Sequence, residues 1–359
     1  MHKKLKKILV LLLAVSLLLT AFTACSKTAE EKTTSDSTGT VATTSSTNKT
    51  SVETSAATAL DDYNPVTITV DLDRSGLGDK IEQTFLQPPT RAVGLYDHLS
   101  DILLDLGLAD NIVALARGAE ESPRDFPERD TIETIWEGGR RDISREQLLS
   151  VNPDFLIGWD SDFSEDYYNK DFCQENGIAM YMPYLCSDSA TLESLYKDYE
   201  TLGKIFGVED VAAERIAAMK RTVESVRETI GEDAYENPVT IFNFDSAEDS
   251  PFTACQGMPG DIFKLAGGIS IFDDIDKGWA TVSWEQVVER NPQVIIVNEY
   301  SRGDAQEKID FLYSNEALKD VAAVIDKRIY AVPLGDLEGS CGSADLVKQI
   351  ATMLYPDLF

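Results

Sequence analysis

The chain has 359 residues, enough for two domains of ordinary size, and a formal net charge of −30. So acidic a chain does not suit nucleic acid, whose phosphates require a basic surface. Its two histidines, His2 and His98, cannot form the histidine cluster that bare zinc or manganese would ask for.

Residues 1–24 open with Lys3, Lys4, Lys6 and Lys7 and continue in a nearly unbroken apolar run from Ile8 to Phe22. The run is short for a membrane span and has the layout of a secretion signal. Small residues directly before Cys25 resemble a bacterial lipobox, in which the cysteine becomes the lipidated N-terminus; Phe22 departs from the usual Leu, Val or Ile. Residues 26–64 hold 18 Ser or Thr among 39, too few large apolar groups to bury a core. Residues 25–64 therefore read as a lipidated cysteine followed by a disordered tether. Without the four leader lysines, the charge of −30 becomes −34. An extracytoplasmic protein held on the cell membrane, of a Gram-positive cell, is the expectation.

Alternating strands and helices begin after the tether. Val66–Leu72 is an entering strand. Arg91–Leu95 is a strand turning at Tyr96-Asp97-His98 into an amphipathic helix, Leu99–Leu106, with Gly107 as its C-cap. Ile112–Leu115 is a strand, followed by an irregular stretch to Arg141. After a helix and strand ending at Trp159, residues 167–176 and Ile178–Met182 continue as helix and strand. Residues 189–231 differ: they read as mostly helical, broken near Gly207, with an apolar stripe at Val211, Ile216, Met219, Val223, Val226 and Ile230. Alternation restarts with the strand Val239–Phe244, the helix Gly260–Ala266, the strand Arg328–Val332 and the helix Ser343–Leu354. The pattern predicts an α/β chain of two Rossmann-like lobes with parallel sheets. The lobes span 65–207 and 233–359, joined by a long connecting helix at 208–232, with a ligand cleft between them. Cys173, Cys186, Cys255 and Cys341 allow three disulfide pairings or buried free thiols, and the sequence does not choose.

Two segments repeat one pattern. Ser144–Ile157 reads SREQLLSVNPDFLI and Ser283–Ile296 reads SWEQVVERNPQVII, with six of fourteen positions identical. Ser144 with Gln147, and Ser283 with Gln286, have capping-box spacing. Asn152-Pro153 and Asn291-Pro292 stop the helices, since asparagine tolerates a left-handed terminal residue and proline cannot continue. The apolar runs that follow suit strands buried on both faces. Capping accounts for the serines and glutamines. Glu146 and Glu285 fit either the favourable charge of a first helical turn or a matched pair of exposed carboxylates, one per lobe.

Four segments resemble the class III substrate-binding proteins of ABC importers, the group that captures ferric siderophores, haem and cobalamin. They are Arg91 to Asp110, the two repeat copies and Lys327-Arg-Ile-Tyr-Ala-Val-Pro333; the family usually has Thr-Glu where Ser100-Asp101 stands. The resemblance spans roughly residues 65–359. It implies that Glu146 and Glu285 dock into arginine pockets on a permease dimer, a charge pairing that gives register and on-rate. It also implies that Arg140, Trp159 and Trp279 face the cleft.

Loops after strand C-termini line the crevice in α/β lobes. The ligand-binding candidates are therefore Tyr96, His98, Arg140, Trp159, Asp245, Trp279 and Tyr300. Aromatic faces suit ring-rich ligands and arginine suits anionic oxygens. No two of Tyr96, His98 and Met258 pair as haem axial ligands, and the acids Asp160, Asp162, Glu165 and Asp166 suit cationic arms or a solvated loop. No GxSxG, P-loop, HExxH or placed GxGxxG is present, so no enzyme is read. The expected function is delivery of an iron chelate, ferric siderophore or haem, to an importer permease, with cobalamin the alternative. No resident cofactor is expected, and the metal chelate, the permease and the membrane are the expected partners.

Overall fold

The computed structural model describes residues 63–78, 80–117, 124–137, 143–301 and 303–359. The leader, Cys25, residues 26–62 and Arg140 lie outside them. Among the described residues no helix is long and apolar enough to cross a membrane.

The first two strands, β1 (Val66–Asp71) and β2 (Lys80–Phe85), pair antiparallel as a hairpin, with Val66 opposite Phe85 and Asp71 opposite Lys80. The predicted entering strand is thus present, but it joins a sheet of its own. Its partner was not read from the sequence, because KIEQTF is too polar to resemble a buried strand and gains its place from pairing.

The first parallel sheet holds β3 (Ala92–Gly94), β4 (Ile112–Arg117), β5 (Glu133–Glu137), β6 (Phe155–Ile157) and β7 (Ala179–Tyr181), in the order β5-β4-β3-β6-β7. Its helices are α1 (Asp97–Asp105), α2 (Arg145–Ser150) and α3 (Lys170–Glu175). Next come α4 (Leu192–Phe206), α5 (Glu209–Ile230) and the short α6 (Glu232–Glu236). The break read at Gly207 is a left-handed C-cap with φ 70°, a conformation glycine adopts without a side-chain penalty.

The second parallel sheet has the order β10-β8-β12-β13, from β8 (Val239–Phe244), β10 (Gly268–Ser270), β12 (Val294–Glu299) and β13 (Ile329–Pro333). A small antiparallel pair, β9 (Phe252–Ala254) and β11 (Trp279–Thr281), stands apart from it. The helices here are α7 (Gly257–Leu265), α8 (Trp284–Arg290), α9 (Ala305–Ser314), α10 (Ala322–Ile325), α11 (Leu334–Glu338) and α12 (Ser343–Leu354).

The repeat occupies the same place in both sheets. Its strands, β6 and β12, lie beside the first strand of each sheet, β3 and β8, on the side away from β4 and β10. Strand order therefore reverses at β3/β6 and at β8/β12, the two switch points where ligand crevices form. Both capping boxes are complete: Ser144 and Ser283 accept from the Gln147 and Gln286 amides at 3.1 and 3.3 Å, and each glutamine accepts back from the serine amide. Asn152 and Asn291 take φ of 47° and 45°, the left-handed stop expected of them.

Period-2 burial divides the second sheet between two cores. Ile241, Val294 and Ile296 face one cluster with Ile262, Phe263, Val347 and Ile350, while Phe242, Phe244, Ile295 and Val297 face another with Phe272 and Leu312. The first cluster continues through α4 and α5 into the five-stranded sheet. Each such side chain contributes roughly 1.5–3 kcal/mol by leaving water. Within the first cluster α5 packs along both α4 and α12.

Candidate functional site

A cleft of about 1250 Å³ opens at the strand ends of the two sheets. From the first sheet come Trp159 and Asp160, directly after β6. From the second come Asp245 after β8, Tyr300 after β12, and Trp279 at the start of β11. Four of the seven predicted ligand residues thus line one cavity: Trp159, Asp245, Trp279 and Tyr300. Arg140 lies outside the described residues.

Tyr96 and His98 do not reach the surface of the cleft. They are 4% and 3% exposed and pack behind Trp159, with ring centroids 6.3 and 6.1 Å from the indole. The strand-end rule places them correctly at the switch point, but α1 begins at Asp97 and turns both rings into the core. They act as a backing for Trp159. The Trp159 amide donates to Asp162 Oδ2 at 2.8 Å, so Asp162 turns inward and is buried, while Asp160 faces the cleft. Met258 is buried beneath the wall.

The second lobe's wall rests on a polar chain. Tyr300 donates its hydroxyl to Asp245 at 2.9 Å, Asn298 Nδ2 donates to Asp245 Oδ1 at 2.8 Å, and Asn243 Nδ2 donates to Asn298 Oδ1 at 2.7 Å. Three of these groups, Asn243, Asp245 and Asn298, are buried, so each bond removes an otherwise costly unpaired group. Lys308 donates to the Asn298 carbonyl at 2.6 Å and lies 4.4 Å over the Tyr300 ring; burial draws its ammonium below the usual range. Trp279 stacks on Phe252 at 5.5 Å and 15°. Each lobe therefore presents an indole that is held from behind, Trp159 by Tyr96 and His98, Trp279 by Phe252.

The sequence reading missed Arg74 and Ser75 of the hairpin turn, Asp188 of the segment before α4, and Phe252, Asp261 and Lys264 of the second wall. Asp261 accepts from the Leu192 amide at 2.8 Å, and burial raises its carboxyl above the ordinary range. Gly257, with φ +67°, has no side chain because a Cβ there would stand 2.9 Å from the Asp188 carbonyl oxygen. The one local signal for Arg74 is the turn run Asp73-Arg74-Ser75-Gly76 after an alternating strand. Among the described residues no group of His, Cys, Asp and Glu is arranged to hold a metal ion. Cys173, Cys186 and Cys255 are buried and Cys341 part-buried, each a free thiol in the structure.

Glu146 and Glu285 are both exposed, at the first turns of α2 and α8. The residues before them do the anchoring. Arg145 donates to the Tyr167 carbonyl at 2.7 Å, and Trp284 packs on Phe242 and Phe244. The Glu285 carboxyl is held below its usual range by its own backbone amide and by the Ser283 hydroxyl. Two positions on, Leu148 and Val287 are buried, and one residue further Leu149 and Val288 are each 38% exposed. The repeat thus conserves which side chains face out as well as which face in.

A family model described as periplasmic binding protein matches residues 93–334. The vitamin B12-binding protein of Vibrio cholerae is 25% identical over 215 residues, covering 60% of this chain and 72% of that protein. YvrC of Bacillus subtilis, an uncharacterized ABC transporter substrate-binding lipoprotein, is 22% identical over 279 residues, 77% of this chain and 83% of the relative. Among solved structures, a periplasmic binding protein from Veillonella parvula aligns with TM-score 0.73 and 27% identity, over 82% of this chain and 99% of that one. An ABC-type Fe3+-hydroxamate transport protein from Saccharomonospora viridis shares the fold, with TM-score 0.64 and 20% identity over 80% and 98% of the two chains. Two parallel sheets with like switch points, a cleft across their strand ends and a family match over most of both lobes lead to one conclusion: the chain belongs to the periplasmic binding protein family, class III, whose members are substrate-binding components of ABC importers rather than enzymes.

Proposed function

We propose that this chain captures a large metal chelate between its lobes and delivers it to the permease dimer of an ABC importer, with Glu146 and Glu285 as the paired docking charges. The observation that carries the reading is the cleft of about 1250 Å³ with an indole from each lobe in its wall. Pockets for drug-sized ligands run to roughly 300–1,000 Å³, so this one exceeds what an amino acid or a bare ion needs. Backed aromatic faces favour a ligand with flat or ring-rich surfaces. An iron chelate, ferric siderophore or haem, meets that description. A corrinoid meets it too, and is favoured by the relatives whose name states vitamin B12 binding. Lipidation at Cys25 would hold the protein on the extracytoplasmic face, in keeping with the lipoprotein description of YvrC.

Isothermal titration of the purified protein with a ferric hydroxamate siderophore, haemin and cyanocobalamin tests the ligand class. Saturable binding of one of the three at micromolar or tighter affinity is the expected result, and its identity separates the iron from the cobalt reading. Heat of dilution alone for all three overturns the chelate proposal.

A further inference from the structure

The β1–β2 hairpin precedes the residues matched by the family model, yet its turn enters the cleft wall through Arg74 and Ser75. The turn is built to hold one shape. Asp73 Oδ1 accepts from the Ser75 amide at 2.8 Å and from its hydroxyl at 2.7 Å, and Asp71 Oδ1 accepts from the Asp73 amide at 3.1 Å. The Arg74 carbonyl accepts from the Asp188 amide at 3.0 Å and from the Ser187 hydroxyl at 3.2 Å, which pins the turn to the segment that crosses toward α4. The side chain is oriented as well. Its Nε donates to Asp188 Oδ1 at 2.7 Å, and its guanidinium carbon lies 5.8 Å from the Trp159 ring centroid. Asp188 thus holds the Nε edge. Among the described residues the terminal Nη pair meets no acceptor.

We infer that Arg74 is a ligand-reading residue: its Nη pair receives an anionic oxygen group, a carboxylate or a phosphodiester, at the edge of a ring system lying against Trp159. This deepens the chelate reading and rests on it for the identity of the ring. The chemistry follows from the guanidinium itself. A planar fork with one edge already fixed loses little freedom on binding a two-oxygen anion, and such charge-assisted pairs are stronger than neutral ones. The nearby indole stabilises the cation without competing for those donors. Asp188 is a positioning residue, since it touches Arg74 and aims it.

The test compares wild type with Arg74→Ala, Arg74→Lys and Asp188→Asn, each checked for unchanged thermal unfolding. Haemin supplies carboxylates, and cyanocobalamin supplies a phosphodiester that dicyanocobinamide lacks. For whichever anion-bearing ligand binds, Arg74→Ala is expected to weaken affinity about tenfold or more, and Arg74→Lys to restore only part of it. Asp188→Asn is expected to fall between, and Arg74→Ala to weaken cobinamide binding less than cyanocobalamin binding. Equal affinity of wild type and Arg74→Ala for haemin or cyanocobalamin overturns the assignment. A second arm needs no chelate: citrate titrated to millimolar concentration is expected to change tryptophan emission saturably in wild type and not in Arg74→Ala. If none of the chelates binds but the citrate response is lost with Arg74, the chelate reading fails and the anion site stands. If the citrate response is absent or is the same in both proteins, the anion site fails.

Discussion

Among single residues, Asp198 is a buried carboxyl held by three hydrogen-bond donors. It is fully buried on α4 and accepts from the Tyr181 hydroxyl at 2.7 Å and from the Tyr184 and Leu185 amides at 2.7 and 2.9 Å. Burial pushes its carboxyl up to about 7, against the opposing pull of those three donors and of Lys197. Because the native value lies above that of the unfolded chain, the native state holds the extra proton between about pH 4 and pH 7. Stability contributed by this group is therefore full below about pH 4, falls by at most about 1.4 kcal/mol per pH unit as pH rises, and is flat above about pH 7. Subtracting the melting temperature of Asp198→Asn from that of wild type removes the titration common to both. The difference is expected to move against wild type from pH 4 to pH 7 and then to level off. A constant difference over that range would mean that the carboxyl is already ionised at pH 4. The segment that Asp198 holds runs directly into Ser187 and Asp188, so this residue also supports the cleft rim. Nothing in the sequence marked it, since an aspartate inside a helical stripe reads as solvent-facing until the fold buries it.

Elements were legible where their chemistry is local. The starts of the two repeat helices could be read to the residue because capping boxes are short-range devices, the Asn-Pro stop marks the end of α8 directly and that of α2 one residue late, and α12 occupies the predicted Ser343–Leu354. The strands β2, β5, β9, β10 and β11 were not read. The longest two, KIEQTF and ETIWE, carry only two large apolar residues each without strict alternation and become strands through partners elsewhere in the chain, β1 for one and β4 for the other. The same division explains the site. Residues placed by the end of a recognisable strand, Trp159, Asp245 and Tyr300, were found, whereas Arg74 was not, because a hairpin brings it beside Asp188, 114 residues away. The caps give an element-scale prediction. Ser144→Ala and Ser283→Ala each remove a hydroxyl that satisfies a first-turn amide, so each is expected to cost about 1 kcal/mol and lower the melting temperature by about 2 °C. Thermal unfolding measures it; a loss at one site and none at the other would show that the two copies are not energetically alike.

Contacts that set the lobes against each other belong to the whole molecule and were invisible in the sequence. Arg124 of the first lobe meets Asp336 at 3.5 Å and Asp345 at 3.2 Å in the second, and Gly335 lies so close to His98 that a Cβ would stand 3.2 Å from the His98 Cβ. One core runs through α4 and α5 from the first sheet to the second. The repeat places a carboxylate and, three residues on, a part-exposed apolar side chain twice: Glu146 with Leu149, and Glu285 with Val288. A partner built as a dimer offers two like patches, so matched charges set register, and each charge alone supplies only part of it. Exposed carboxylates pair weakly one at a time in water, so their effect is expected mainly in encounter and alignment. Charge reversal at one site, Glu146→Lys or Glu285→Lys, is accordingly expected to reduce transport several-fold, and the double reversal to abolish it. Chelate affinity measured on the purified variants is expected to be unchanged, because neither residue lines the cleft. Uptake of labelled chelate by cells carrying the native importer, beside calorimetry on the same proteins, separates the two steps. Normal uptake by the double variant would remove Glu146 and Glu285 from docking and leave their role as first-turn charges on capped helices; loss of chelate affinity would show that reversal disturbs the cleft itself.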